Sequence, residues 1–378
     1  MGASTEMGTI GALAARGAPG AAVLAPPDGP DATPDEWDAL VAANPRGSYL
    51  QTRGGGTVKA ANGWDARLVV AEAPDGPIGA QVLLRRPRPM PWTFGYAPRG
   101  PVASSWTEES LRDFAIAIRA EARISIARLS HVRIDPEVEL DGPDDTDGAA
   151  RRSLVAAGFR PAPPIQPDRT RIIDLRPPEE ALWGDLRKKW RQYVNKARSE
   201  GVTVRAAEDD ELDRFYGIYR ETADRAGFLI RTLQAYRDVW EAFRPSGRAT
   251  LLFADDRDGT PVATLFLVSS GPRVVEPYGG MTATGALLRA NYLLKWEAIV
   301  RARAAGATSY DLWGLAHAGI EHFKTGFGGR EIRYIGAWDL VLSGAGRHAY
   351  ELGQGMRVRL ARRRAGLDRE GPAAAGAD

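Results

Sequence analysis

Ala249-Thr-Leu-Leu-Phe-Ala-Asp-Asp-Arg-Asp258-Gly259-Thr260-Pro261 reads as a strand, an Asp-Gly turn and the opening of a second strand. Asp-Gly between apolar runs is a hairpin signature, because glycine takes positive φ at no steric cost. The same pattern occurs earlier, in Ala66-Arg-Leu-Val-Val-Ala-Glu-Ala-Pro-Asp75-Gly76-Pro77-Ile78. The elements after each hairpin also correspond. Trp106–Ala127 and Leu287–Ala305 carry apolar residues at helical spacing. Each leads into a short strand containing an aspartate, Ser130-His-Val-Arg-Ile-Asp135-Pro136 in one case and Ser309-Tyr-Asp311-Leu-Trp in the other. Gly158-Phe159-Arg160 and Gly326-Phe327-Gly328 come next, each ahead of a further strand, Thr170–Leu175 and Tyr334–Leu342. Elements repeated in the same order indicate a tandem duplication, hairpin–helix–strand–helix–strand in each half. The expected fold class is α/β (mixed α+β), with helices on the faces of mixed sheets.

The bulk numbers agree with two domains. The chain has 378 residues, 44% apolar and 26% charged, which allows a sizeable core in each half. Residues 1–33 read as a flexible lead-in, followed by a helix at Thr33–Ala43 with Pro34 at its first position. Residues 34–176 then form the first domain, 177–345 the second, and 346–378 a basic C-terminal helix and tail. The net charge of +2 gives no global polyanion signal, so any nucleic-acid contact must come from local patches. The absence of cysteine excludes disulfides, thiolate metal sites and cysteine nucleophiles. The four histidines, His131, His317, His322 and His348, form no metal-type pair, so no metal is expected. No apolar run is long enough to span a bilayer, and the expected location is cytoplasmic.

Two stretches carry candidate chemistry. Leu182–Glu200 reads as one helix in which Leu186, Trp190, Val194 and Ala197 share a face. Arg187, Lys188, Lys189, Arg191 and Lys196 cover much of the rest, and basic plus aromatic residues suit a phosphate backbone. An ordinary solvated helix face has the same pattern. The second stretch, Phe323-Lys324-Thr325-Gly326-Phe327-Gly328-Gly329, reads as a glycine-rich apolar turn holding one lysine. It fits either a surface lysine in a strand–turn–strand link or a device that delivers positive charge to developing negative charge.

The order hairpin, long helix, strand is that of the acetyltransferase-like (GNAT) fold. Enzymes of that fold bind coenzyme A pyrophosphate on a glycine-spaced loop at the start of the central helix, where backbone N–H groups face phosphate. Gly279–Asn291 occupies that place without that spacing, and Ser104–Leu111 lacks it too. The fold therefore suggests acyl transfer with another activated donor.

Motifs spread from about Gly47 to Leu342 carry a closer resemblance. They include Ser48-Tyr-Leu-Gln51-Thr, Tyr96-Ala-Pro-Arg99-Gly100-Pro101, Val132-Arg-Ile-Asp135-Pro136, Gly227-Phe-Leu-Ile-Arg231 with Tyr236, Tyr278-Gly-Gly, Ala290-Asn291-Tyr-Leu-Leu-Lys-Trp296 and Phe323-Lys324-x-Gly-Phe-Gly-Gly329. The sequence resembles the FemABX family of aminoacyl-tRNA-dependent peptidyltransferases, two GNAT-like acyltransferase domains in tandem. It is similar to the shorter type without a coiled-coil arm. The resemblance implies transfer of an amino acid from aminoacyl-tRNA to an amine of a peptidoglycan precursor's stem peptide, by a sequential reaction. It implies no cofactor beyond the charged tRNA as co-substrate. Lys324 then matches the family's catalytic lysine. Lys59, Asp135, Arg231, Tyr236 and Tyr278 match acceptor-binding positions, and by the same resemblance the first domain binds the acceptor while the second carries tRNA binding and catalysis. Arg187, Lys188, Lys189, Arg191, Lys196 and Phe323 match the tRNA side. Taken alone, Asp135 also reads as a turn residue before Pro136, Tyr278 as core and Lys59 as an exposed lysine. Arg53-Gly-Gly-Gly-Thr stands where the family often has a tryptophan, which loosens the match at Lys59. A monomer is expected, with peripheral contact at the inner face of a membrane. Other readings are a related ligase acting on a small peptide or nucleoside, a coenzyme A-dependent acetyltransferase, and an RNA-binding module on a degenerate scaffold.

Overall fold

Both Asp-Gly segments fold as hairpins, each in a separate sheet and one strand in from its edge. The computed structural model describes residues 22–24, 36–124, 128–315 and 318–364. The first unit runs in chain order through β1 (Ala22–Leu24), α1 (Glu36–Ala43), α2 (Arg53–Ala61), β2 (Asp65–Ala71), β3 (Ile78–Arg85), β4 (Thr93–Ala97), β5 (Val102–Ala103), α3 (Glu108–Ile124), β6 (Leu129–Ile134), α4 (Ala149–Ala156) and β7 (Phe159–Ala162). The second unit, Pro167–Arg333, holds β8 (Arg169–Asp174), α5 (Glu179–Asp185), α6 (Lys188–Ser199), β9 (Thr203–Ala206), α7 (Leu212–Ala226), α8 (Leu233–Phe243), β10 (Ala249–Asp255), β11 (Pro261–Ser270), β12 (Arg273–Met281), α9 (Ala283–Leu287), α10 (Ala290–Ala304), β13 (Ser309–Asp311), α11 (Ala318–Thr325) and β14 (Arg330–Arg333). From Tyr334 the chain returns to the first unit as β15 (Ala337–Val341) and α12 (Gly344–Arg364).

The two sheets have the same plan. The first has eight strands in the order β1-β2-β3-β4-β6-β15-β7, with β5 on β3, and the second has seven, β14-β8-β13-β12-β11-β10-β9. In each, a hairpin (β2–β3 or β10–β11) is followed by a strand (β4 or β12) that pairs in parallel with the strand after the long helix (β6 or β13). α3 turns Leu111, Phe114, Ala115 and Ile118 onto the first sheet, and α10 turns Leu294, Ala298 and Ile299 onto the second. These positions recur at helical spacing, which is why the duplicated helices are readable from sequence.

The last strand of each half differs from expectation. Thr170–Leu175 was expected to close the first half. Instead β8 lies in the second sheet, antiparallel to both β13 and β14. Tyr334–Leu342 was expected to close the second half, but β15 lies in the first sheet between β6 and β7. Buried charge accounts for the second exchange. Arg133 on β6 and Asp339 on β15 are both inside, joined by Nε–Oδ1 at 2.7 Å and Nη2–Oδ2 at 2.9 Å. Arg347 of α12 adds a bond to Oδ2 at 2.7 Å. A buried arginine needs such a partner, and Asp339 of β15 supplies it with two bonds.

Local boundaries shift as well. The expected helix Leu182–Glu200 is two helices, α5 and α6, separated by extended backbone at Leu186 and Arg187. Arg191 makes the break sustainable: its Nη1 donates to the carbonyls of Gly184 (2.8 Å) and Leu186 (2.9 Å) at the end of α5. Leu287–Ala305 is likewise broken, at Arg289, whose φ of 61° starts α10. Of the expected lead-in, Ala22–Leu24 pairs with β2 as β1; Pro34 and the tail after Arg364 lie outside the described residues. Among the described residues no helix is long and apolar enough to cross a membrane, and no coiled-coil arm is present. Replacing Asp339 by Ala strands Arg133, and we expect a loss of about 3–5 kcal/mol, read as a lower urea midpoint at unchanged slope.

Candidate active site

The second sheet opens at one place. β12 and β13 pair only from Arg273–Ser309 to Val275–Asp311. Past that point β12 continues to Met281 on the edge of β11, while the chain after β13 turns away. The gap is a cavity of about 480 Å³. Its walls include Glu276 and Gly280 of β12, Trp313 and Gly314 after β13, Asn291 and Lys295 of α10, Phe323 and Lys324 of α11, and Tyr219 of α7. Three cations, Arg289, Lys295 and Lys324, and one carboxylate, Glu276, line it. Excess positive charge in a partly apolar recess suits negative charge that develops during a reaction.

Lys324 is not in a turn, as its sequence context suggested; it lies in the last turn of α11, and the glycine-rich turn begins at Gly326. Its Nζ donates to the carbonyls of Trp313 (2.7 Å) and Gly314 (2.8 Å). Burial, reinforced by nearby Lys295, brings its pKa down to about 8 against the opposing pull of Glu276 and Asp311. Lys295 is buried outright, paired with Glu276 and 5.4 Å from the Phe323 ring. Burial pushes its pKa down and Glu276 pushes it back up. Tyr310 completes this cluster by donating to Glu276 Oε2 at 2.8 Å.

The glycine turn locks α11 to α6. Trp190 Nε1 donates to the Phe323 carbonyl at 2.9 Å, and the Arg187 amide to the Gly326 carbonyl at 2.9 Å. A Cβ on Gly326 would come within 2.2 Å of the Trp190 ring, so only glycine fits there. Arg171 of β8 donates to the Gly329 carbonyl at 2.6 Å.

The other sequence-derived residues fall into separate groups. Arg231, Tyr236 and Tyr278 come together: Tyr236 OH accepts from the Arg231 amide at 3.2 Å, and its ring meets Tyr278 edge-on at 5.0 Å. Burial, with Tyr278 beside it, raises the Tyr236 pKa. Lys59 and Asp135 belong to the first unit. Lys59 lies on α2, mostly buried, with its Nζ 6.0 Å from the Trp64 ring. Asp135 accepts from Tyr96 OH (2.6 Å) and from the amides of Arg99 (2.6 Å) and Gln166 (3.1 Å). Burial raises its pKa, and it holds Arg99 in the left-handed region at φ 57°. On α6, Lys188, Lys189 and Lys196 are exposed, as is Arg187 at its N-terminal cap, whose guanidinium stacks on Trp190 at 5.7 Å. Arg191 is turned onto the α5 carbonyls instead. Phe323 lines the cavity beside Tyr292 at 5.1 Å.

Sequence reasoning gave no role to Glu276, Lys295, Arg289 or Asn291, although Asn291 and Lys295 stand in the motif Ala290–Trp296. Arg289 Nε and Asn291 Oδ1 are buried at the cavity without a hydrogen-bond partner among the described residues. A signal for Lys295 was available: it is a lone cation inside the apolar run Tyr292-Leu-Leu-Lys-Trp296.

Fold and cavity together define two sheet-and-helix units of one GNAT-like plan in tandem, with a cationic recess in the second. The sequence profile of the FemAB family matches residues 32–153, 156–255 and 247–352, and the chain belongs to that family. It is 30% identical over 229 residues to the lipid II:glycine glycyltransferase of Staphylococcus aureus (strain MRSA252), covering 58% of this chain and 53% of the relative. With the lipid II:glycine glycyltransferase of Staphylococcus saprophyticus it shares 28% identity over 227 residues, 58% of this chain and 54% of the relative. The alignment thus spans about half the length of these curated relatives. The crystal structure of FemX superposes with a TM-score of 0.75 at 22% identity, over 84% of this chain and 97% of that one.

Stability should respond to this site in two ways. Gly326→Ala forces Trp190 aside and is expected to cost about 1–3 kcal/mol in denaturant unfolding. Unfolded Lys324 binds its proton up to about pH 10.5, and folded Lys324 only to about 8. Between those values the unfolded state holds more protons, so this group makes stability rise with pH. In Lys324→Met that rise should be absent from urea midpoints measured from pH 8 to 10.5.

Proposed function

We propose that the protein is an aminoacyltransferase that moves an amino acid from aminoacyl-tRNA to an amine of a peptidoglycan precursor's stem peptide, carried on lipid II or on a UDP-MurNAc-pentapeptide. Membership of the FemAB family and the relatives named for glycyl transfer on lipid II support the acceptor class. The observation that carries the reaction is Lys324 held by two carbonyls on the wall of a cationic cavity. The acceptor amine attacks the ester carbonyl carbon, and a C–N bond forms. Negative charge gathers on the carbonyl oxygen, where protonated Lys324 stabilises it. The C–O bond to the tRNA ribose then breaks, and the proton lost by the amine ends on the ribose oxygen. The ester is already activated, so positioning and charge supply most of the acceleration.

The donor fits the cavity's approach. Exposed Lys188, Lys189 and Lys196 with Arg187 give α6 a basic surface for a phosphate backbone. Arg289 Nε and Asn291 Oδ1 offer polar contacts to a nucleotide end. Both substrates are bound before transfer in this reading, no further cofactor takes part, and the protein works as a monomer in the cytoplasm, at the membrane surface when the acceptor is lipid-linked.

With a charged-tRNA pool and lipid II or the nucleotide precursor, RNase should abolish product. Turnover that survives RNase and runs on acetyl-coenzyme A would sink the reading. Lys324→Met should reduce transfer by about 10²–10³-fold, as loss of one oxyanion partner does. The wild-type rate should fall as pH rises through about 8, where Lys324 loses its proton.

A further inference from the structure

One link between β13 and Lys324 takes no direct part in the transfer step. Trp313 sits in the left-handed region at φ 55°. For a bulky side chain that conformation is strained and persists only when its surroundings impose it. Here they do. Asp311, buried at the end of β13, accepts from the Trp313 amide through Oδ1 at 2.7 Å. The same oxygen accepts from the hydroxyl of Thr170, and Oδ2 pairs with Arg273. With Trp313 fixed this way, its carbonyl and that of Gly314 converge on Lys324 Nζ.

We propose that Asp311 is a positioning residue that fixes the Lys324 ammonium in the cavity through the backbone of Trp313 and Gly314, with Thr170 of β8 holding Asp311 in place. This rests on the catalytic role proposed for Lys324. Without the clamp, Trp313 relaxes to negative φ, the two carbonyls swing apart, and Lys324 is free to turn toward Glu276. The charged groups that face Lys324 are Lys295 from α10, Glu276 from β12 and Asp311 from β13. Asp311 is therefore also one of the two anions that keep Lys324 protonated.

The test uses full-length Asp311→Asn, Thr170→Val and Lys324→Met, with kcat, KM for charged tRNA and the pH–rate profile measured for each. Asp311→Asn should lower kcat about ten- to a hundredfold, the scale of a small misplacement, with KM changed less than about twofold. Its alkaline limb should move down by about one unit, the lower end of what one neighbouring charge contributes. Thr170→Val keeps the charge, so it should lower kcat several-fold and leave the limb in place. A folded Asp311→Asn with unchanged kcat and limb overturns the proposal. Should that variant fail to fold, Thr170→Val decides alone, and an unchanged kcat overturns it. The two readings fail differently: active Lys324→Met removes the assigned role of the lysine, whereas inactive Lys324→Met beside a silent Asp311→Asn removes only the clamp.

Discussion

Where β12 and β13 part, two lengths of backbone lose the partners that a sheet would give them. Buried backbone polar groups must be satisfied elsewhere. On the β13 side the carbonyls of Trp313 and Gly314 are taken by Lys324. That solution brings an ammonium into a recess with Lys295, and Glu276 with Tyr310 balances part of the charge. The cavity, the lowered lysine pKa and the positive lining are thus consequences of one interrupted strand pair. In the first sheet the corresponding strands, β4 and β6, stay paired from Thr93–Leu129 to Ala97–Ile134. The duplicated copies have the same plan and differ at the point where chemistry would be located.

What could be read in the sequence is what local pattern encodes. The Asp-Gly hairpins and the apolar spacing of α3 and α10 are decided within a few residues, and both stood in the structure as expected. The buried face of α6 was legible for the same reason, since Trp190, Val194 and Ala197 are inside, as is Leu186 in the break before it. The break before α6 was not legible, because it depends on Arg191 reaching back to carbonyls. A sequence shows a charge without showing its target. The exchanged strands are the extreme case: Arg133 and Asp339 are 206 residues apart, and nothing near either one announces the other.

The site was legible in part for similar reasons. Lys324 stood out by its glycine-rich, aromatic setting, and Arg231, Tyr236 and Tyr278 do meet. The helix that carries Lys324 was hidden by the glycines that come after it. Gly326 is there for the Trp190 ring and Gly329 for a φ of 72°, so the glycines report on packing and turn geometry rather than on the lysine itself. Lys295 and Glu276 were hidden in the opposite way, as charges inside runs that otherwise read as core.

The exchange of β8 and β15 also sets an order on the birth of the protein. A ribosome releases β6 and β7 well before β15, so the first sheet carries an empty slot between them until residues beyond 341 have emerged. The second sheet has its full set of strands once β14 is out. Synthesis runs from the N-terminus, but the N-terminal sheet is the one finished last. Until then the edges of β6 and β7 are open to unwanted strand pairing. Among the described residues the second unit is written as one continuous stretch set inside the first, whereas the first is written in two pieces and is whole only when the later piece is supplied.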